Sequence, residues 1–438
     1  MACGSTFFDM HFPFLDKRIS ANLSTPPWLF KMRRAVRWWC GLAFLSILIS
    51  SCATRPDALQ SGPWDLKALS NPPAVTWGQT DGLVQELFYE GEPLNGKPTR
   101  VFAYLGRPAN QSIGRLPALV LVHGGGGKAF KEWAEHWAKK GYVALAMDLA
   151  GNGPNGRLPD GGPDQADGLK FHNFTEAEAR EMWTYHAVAA VVRANSLLRS
   201  LPDVNPERIG ITGISWGGYL TCIVAGIDPR FKVAVPVYGC GFLGDNSVWK
   251  DKSLAAMTPE SRAVWLQLFD PSQYLGNVRH PILFVNGTSD FAYPLDSYQK
   301  SYRLVPTKWR HVSIAVNRPH GHIWTFPEVD AFVDGALSGK PLLVRVDAPV
   351  FTGGRLTAKL DRAETWKEAS LCYTTNSGAW QQRTWQKIPA QVQGREVSAE
   401  VPSARPLVAF LALTDERGAA ISSEQVELSN YPAPTGKK

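Results

Sequence analysis

Apolar and polar positions are arranged in two different ways along this chain, and the change falls near residue 340. Before it, short continuous apolar runs are separated by longer stretches of helical period. After it, only short strand-like runs recur. Leu83–Tyr89 and Arg100–Leu105 alternate partially, with a Gly-, Pro- and Asn-rich turn between them, and predict two early strands. Ala118–Val122 is continuously apolar, the pattern of a strand buried on both faces of a parallel sheet. Lys128–Lys140 places Phe130, Trp133 and Trp137 on one helical face and stops at Gly141. Tyr142–Met147 reads as the next strand, closed by Asp148, and residues 150–170 as a Gly-, Pro- and Asp-rich excursion over the sheet. A long helix over Glu176–Ser200, a strand Ile209–Ile214 and a helix Trp216–Ala225 follow, then strands Phe231–Val237, Pro281–Val285 and His311–Val316, and a last helix Pro327–Leu337. This alternation argues for a mainly parallel α/β sheet over residues 76–340. Beyond it, Ala369–Thr375, Val397–Val401 and Leu407–Thr414, with turns at Asn376–Gly378 and Asp415–Gly418, predict a small β-sandwich at 341–432 and a loose tail at 433–438.

The chain is organised around Arg208–Tyr219, where an apolar run turns at Gly213, presents Ser215 and enters a helix. Gly213-Ile214-Ser215-Trp216-Gly217 is a Gly-x-Ser-x-Gly pattern in the strand–turn–helix context that makes it a nucleophile turn. The glycines have a steric reason: a Cβ two residues either side of the serine would meet the neighbouring strand or helix. The helix N-terminus that follows favours a developing anion. Glycine and serine are common, so the pentapeptide carries little weight by itself; its flanks supply the rest. His123-Gly124-Gly125-Gly126-Gly127 directly follows a predicted strand, where backbone N–H groups can be aimed inward as an oxyanion loop. The N–H of Gly124 or Gly125, with that of Trp216, are the expected donors, and His123 is read as structural. A phosphate-loop reading fails because the run lacks a Gly-Lys-Ser/Thr ending. Asp290, in the loop after the Pro281 strand, is placed to orient a histidine, with Asp296 as its competitor. Pro319-His320-Gly321-His322-Ile323-Trp324 follows the His311 strand and should hold the general base. His322 is preferred, because it follows a glycine and precedes an aromatic by two residues; His320 is the runner-up.

Composition removes other classes. The apolar content of 44% and charged content of 19% are those of a globular chain. Residues 1–51 carry six basic residues (Lys17, Arg18, Lys31, Arg33, Arg34, Arg37) against Asp9 and Asp16, so their removal would lower the formal charge from +7 to +3. No long basic stripe remains, which argues against nucleic acid as a partner. The arginines precede an apolar run, Trp38–Ile49, that is short for a membrane span and has the layout of an export signal. It ends Ile49-Ser50-Ser51-Cys52, which resembles a bacterial lipobox. That resemblance implies a signal peptide at 32–51, cleavage before Cys52, lipidation of its sulfur, a tether at 52–75 and attachment to the cell envelope. Ala53 suits the outer membrane where there is one. Each buried acyl methylene adds roughly 0.8 kcal/mol, so several chains hold firmly. Met32 just before the arginines makes 1–31 readable as a mis-assigned start. Cys3 and Cys40 would be removed with the signal, which leaves Cys222, Cys240 and Cys372 with no metal spacing and no disulfide framework. Cys222 reads as a small core residue, and a Cys222–Cys240 bridge is the one disulfide considered.

Taken together, Ala118–Gly127, Trp133, Gly141–Asp148 and the order Ser215, Asp290, His322 resemble an α/β-hydrolase of the dienelactone hydrolase, acetyl xylan esterase and prolyl-oligopeptidase-type group. The resemblance covers residues 76–340. It implies an α/β-hydrolase fold, with the β-sandwich appended, and a serine esterase working through an acyl-enzyme without metal or organic cofactor. Dienelactone hydrolases carry a cysteine nucleophile where this chain has Ser215, which favours ester hydrolysis. A short-chain ester or an acetylated glycan is the expected substrate. A prolyl-oligopeptidase-type peptidase is the alternative enzyme, although about 70 residues between Cys52 and the glycine loop leave no room for that group's propeller. A catalytically silent, glycan-binding surface lipoprotein is the alternative from another class, and the intact serine, acid and histidines argue against it. Trp380, Trp385 and Tyr373 are candidates for a sugar-stacking face on the sandwich.

Overall fold

A computed structural model describes residues 61–109 and 114–429. Cys52, the signal segment 32–51 and the tail 433–438 lie outside the described residues. Among the described residues, no helix is long and apolar enough to cross a membrane.

A nine-stranded sheet forms the centre. Its strands in chain order are β1 (Val75–Asp81), β2 (Val84–Glu90), β3 (Arg100–Gly106), β4 (Leu116–Val122), β5 (Val143–Met147), β6 (Val204–Ile214), β7 (Val233–Val237), β8 (Ile282–Gly287) and β9 (Arg310–Ala315). In space they run β1-β2-β3-β5-β4-β6-β7-β8-β9. The first three are antiparallel to their neighbours, and everything from β5 to β9 is parallel. The helices are α1 (Lys131–Lys139), α2 (Trp183–Ser200), α3 (Trp216–Ile227), α4 (Pro259–Phe269), α5 (Leu295–Leu304) and α6 (Pro327–Leu337). Every residue of β5, β7 and β8 is buried, as continuous apolar runs between two helical layers require. This is the mainly parallel α/β sheet expected from the pattern, in the α/β-hydrolase arrangement that the resemblance implies.

Three expectations change. Within residues 61–75, where a tether was expected, Trp64, Leu69 and Pro73 are buried. Trp64 is buried, donates its indole N–H to the Tyr185 carbonyl at 3.0 Å and stacks on the Tyr185 ring, and Leu69 is buried beside it. The helix expected over Glu176–Ser200 is broken at Met182, whose backbone is extended. A 3₁₀ turn, Glu176–Glu181, opened by a Thr175/Glu178 capping box, precedes α2. Burial of both Met182 and Trp183, the latter donating its indole N–H to the Leu149 carbonyl, sets that break. Strand β1 had no counterpart in the pattern because nearly all of it is exposed, which removes the alternation that reveals a strand.

The C-terminal domain is two antiparallel sheets. Its strands are β10 (Val350–Thr352), β11 (Arg355–Lys359), β12 (Trp366–Thr374), β13 (Gln386–Pro389), β14 (Gln391–Gln393), β15 (Glu396–Glu400), β16 (Leu407–Asp415), β17 (Ala420–Ser422) and β18 (Val426–Leu428). One sheet runs β10-β11-β15-β14. The other runs β13-β12-β16-β17, with β18 also paired to β16. Trp380 and Trp385 are buried, Trp385 against Phe410, so these two rings fill the domain and do not form a sugar-stacking face. The domain abuts β9, the last strand of the central sheet: Ser422 Oγ accepts the Ile314 N–H at 3.0 Å. An otherwise open sheet edge is thereby covered.

Candidate active site

Ser215 sits where β6 ends and α3 begins, at φ 59° and ψ −118°. A non-glycine residue rarely adopts this backbone, and holding it there costs on the order of 1–3 kcal/mol. Close packing on both sides enforces it. A Cβ at Gly213 would lie 2.3 Å from the Gly217 carbonyl oxygen, and one at Gly217 would lie 2.0 Å from the Val122 carbonyl oxygen. The turn is therefore pressed against β4, and the serine hydroxyl projects over the carboxyl ends of the parallel strands.

Asp290 and His320 reach it from the next two strand ends. His320 Nε2 is 2.9 Å from Ser215 Oγ, and His320 Nδ1 is 2.7 Å from Asp290 Oδ2. A carboxylate only accepts, so Nδ1 carries the proton and Nε2 is left to accept from the serine hydroxyl. The other carboxylate oxygen, Asp290 Oδ1, accepts the N–H groups of Ala292 and Tyr293 at 2.9 and 2.7 Å. Asp290 is buried and its aim is fixed by its own loop. Tyr238, at the end of β7, stacks on His320 with ring centres 4.5 Å apart and donates its hydroxyl to the Pro319 carbonyl. A buried Arg318–Glu328 ion pair ties the His320 loop to α6. Asp296, the competing acid, is turned away in α5, accepting both its hydrogen bonds from Asn246 Nδ2.

The histidine preference is corrected here. His320, and not His322, joins Ser215 to Asp290. His322 Nε2 instead accepts the Gly124 N–H at 3.1 Å, and its ring packs on Phe130. Burial lowers the His322 pKa and keeps the ring neutral, as an acceptor must be. The same bond corrects the oxyanion donors, because the Gly124 N–H is already engaged. Gly125 and Trp216 remain. Trp216 opens α3, so its N–H meets no carbonyl within the helix. A Cβ at Gly125 would lie 2.8 Å from Trp216 Cδ1, which shows how closely the two segments approach. His123 is structural in geometry: Nδ1 donates to the Gly124 carbonyl at 2.8 Å and Nε2 accepts the Leu149 N–H at 2.9 Å. Burial drives its pKa down to about 4.

These groups open into a cavity of about 670 Å³ whose lining includes Ser215, Trp216, Trp249, Phe291, Gln165 and Lys170. Lys170, which no sequence motif marks, is buried with its ammonium 4.6 Å from the Trp216 ring centre and 3.0 Å from Asp167 Oδ1. Asp167 also accepts the Trp249 indole N–H at 3.1 Å. Desolvation lowers the Lys170 pKa. Cys222 and Cys240 are free, buried thiols with pKa values pushed well up by burial, so the bridge considered between them is absent. Among the described residues no group of side chains is arranged to hold a metal ion.

Residues 101–325 match the model of the dienelactone hydrolase family. The chain belongs to the dienelactone hydrolase family. Within that family's framework the strand-to-helix turn Gly213–Gly217 carries Ser215. The chain is 26% identical over 180 residues to an acetyl esterase of Xylanibacter ruminicola, covering 39% of this chain and 40% of that protein. It is 25% identical over 240 residues to an uncharacterised peptidase of Bacillus subtilis, covering 51% of this chain and 33% of that one. The chain thus spans well under half the length of these relatives. Among solved structures it resembles an acetyl xylan esterase from a Paenibacillus species at 20% identity, covering 62% of this chain and 92% of that one, with a TM-score of 0.49.

Proposed function

We propose that this protein is a serine esterase acting on short-chain carboxylic esters, with acetylated glycans as the favoured substrate class. The observation that carries the reading is the continuous hydrogen-bonded chain from Ser215 through His320 to Asp290 at the floor of an open cavity. Ser215 Oγ attacks the ester carbonyl carbon as its proton passes to His320 Nε2, and the carbonyl electron pair moves onto oxygen. The N–H groups of Gly125 and Trp216 receive that oxyanion; one such donor is worth roughly 3 kcal/mol. Collapse expels the alcohol, which takes the proton from His320, and leaves an acyl-serine. Water then attacks with the same histidine as base, releasing the acid and restoring Ser215. Asp290 holds the tautomer throughout.

The acetyl preference is supported by the name of the X. ruminicola relative. A peptidase is the second reading, favoured by the B. subtilis relative. Attachment to the cell envelope through a lipid on Cys52 belongs to the same proposal and rests on the sequence alone, namely Arg33, Arg34 and Arg37, the apolar run Trp38–Ile49 and Ser50-Ser51-Cys52. The test compares wild type with Ser215→Ala on a chromogenic acetyl ester, on longer acyl esters, on acetylated xylo-oligosaccharides and on a chromogenic dipeptide. Hydrolysis of the acetyl substrates that falls by roughly 10⁴-fold in Ser215→Ala is expected. Dipeptide turnover exceeding ester turnover would move the assignment to the peptidase, and equal activity of the two proteins would end the serine mechanism.

A further inference from the structure

We infer that the C-terminal β-sandwich is a brace for the acid and base of the active site, and that Gln425 is its principal positioning residue; this rests on the Ser215–His320–Asp290 reading above. Asp290 lies in the loop between β8 and α5, and His320 in the loop between β9 and α6. The sandwich touches the elements that flank both loops. Against the first, Gln425 donates its side-chain N–H to the Leu295 carbonyl at 2.9 Å and accepts the Tyr302 hydroxyl at 3.0 Å. The Gln425 main-chain carbonyl accepts Gln299 Nε2 at 2.7 Å. Leu295, Gln299 and Tyr302 span α5 from its first residue to its last turn. Against the second, Ser422 takes the Ile314 N–H of β9, two residues short of the His320 loop.

The path from Gln425 to the acid is short. Asp290 Oδ1 is held by the N–H groups of Ala292 and Tyr293, and the Tyr293 carbonyl is held in turn by Asn286 Nδ2. Leu295, which Gln425 grips, follows Tyr293 by two residues. Any shift of the first turn of α5 therefore moves the amides that aim the carboxylate at His320. Gln425 is only 2% exposed, and its side-chain carbonyl, side-chain N–H and main-chain carbonyl are all engaged with α5. A buried amide with its partners in place specifies one arrangement, and losing the partners leaves buried groups unsatisfied. Catalytic geometry is intolerant of such slack, since a misplacement of about 1 Å can cost about 10²-fold in rate. By contrast, Arg303 and Glu424 form an ion pair at 2.8 Å on the same seam, but the Arg303 side chain is half exposed and lies in the last turn of α5, at the end away from the Asp290 loop.

The test uses the full chain with Gln425→Leu, which keeps side-chain volume roughly constant and removes the two side-chain hydrogen bonds, and Gln425→Glu, which keeps the acceptor for Tyr302. Arg303→Ala is the seam control, and Ser215→Ala is run alongside. Turnover and KM on a chromogenic acetyl ester are read well below each melting transition. The brace predicts that Gln425→Leu lowers kcat about tenfold or more with KM within about twofold, that Gln425→Glu recovers part of the loss, and that Arg303→Ala matches wild type. A folded Gln425→Leu protein with wild-type kcat overturns the brace, and so does Arg303→Ala losing as much as Gln425→Leu. Should Gln425→Leu fail to fold, Ser422→Ala is read the same way, with a lower kcat expected at unchanged KM. If Ser215→Ala keeps full activity, the esterase mechanism itself fails. If Ser215→Ala is inactive while the Gln425 variants work normally, only the brace fails.

Discussion

Two histidines two residues apart have opposite duties, and only their neighbours distinguish them. His320 bridges Ser215 and Asp290, whereas His322 holds the Gly124 N–H and packs on Phe130. The motif Pro319–Trp324 shows that one of them faces the serine, but a loop has no fixed side-chain period, so spacing could not choose. His320→Ala should therefore lose activity about as completely as Ser215→Ala. His322→Leu removes only the acceptor that anchors the glycine loop. One net hydrogen bond is worth about 1 kcal/mol, so kcat should fall roughly five- to tenfold, and His322→Asn, which restores an acceptor, should recover part of it; steady-state kinetics on the acetyl ester decides. Tyr238 and Lys170 were not legible in the sequence either. Tyr238 reaches His320 across the sheet, and Lys170 reaches the Trp216 ring from the 150–170 excursion. Such contacts join elements far apart in the chain and leave no local pattern.

At the scale of elements, the sequence was informative wherever burial was symmetrical. Strands β4, β5, β7 and β8, the second half of β6, and helix α6 follow from continuous apolar runs or from an amphipathic face, because a two-sided core leaves few polar positions to confuse the pattern. It was silent for β1, which is exposed on both faces, and misleading at Met182, where tertiary contacts of Trp183 override helical propensity. The nucleophile turn was the most legible element of all, because its glycines answer a steric demand that can be stated in advance. Gly217→Ala forces a Cβ to 2.0 Å from the Val122 carbonyl oxygen, so β4 or α3 must move and Ser215 with it. A loss of roughly 1–3 kcal/mol in stability and at least about 10²-fold in kcat is expected. Gly168→Ala, at a site with nothing within 4 Å of the added carbon, should leave both unchanged. Chemical denaturation and acetyl-ester kinetics on the two proteins check the contrast.

For the whole molecule, the buried histidines set a dependence on pH. Burial lowers the pKa of His123 to about 4, of His186 to about 4 and of His311 to about 3. The unfolded chain protonates all three near 6.5, so between about pH 6.5 and 4 it binds more protons than the folded protein. Stability must fall as pH drops through that window, and above it these three groups contribute no slope. Asp148 and Asp270, whose carboxyls burial pushes up, act in the opposite sense. The informative quantity is therefore a difference between proteins. His311 is buried with its ring edge-on to Phe332, so His311→Phe removes one titration and keeps the ring contact, at the loss of a hydrogen bond to the Val344 backbone. As pH falls from 8 to 4.5, urea midpoints should drop less steeply in that variant, by the contribution of about one proton. The measurement that bears most directly on the esterase mechanism is covalent. Wild type and His320→Ala are treated with a serine-reactive phosphonate, and the modified peptide is located by mass spectrometry. The mechanism predicts one phosphonyl group, on Ser215, formed at least about 10²-fold more slowly without His320. Labelling elsewhere, or labelling of Ser215 at the same rate in His320→Ala, would contradict it.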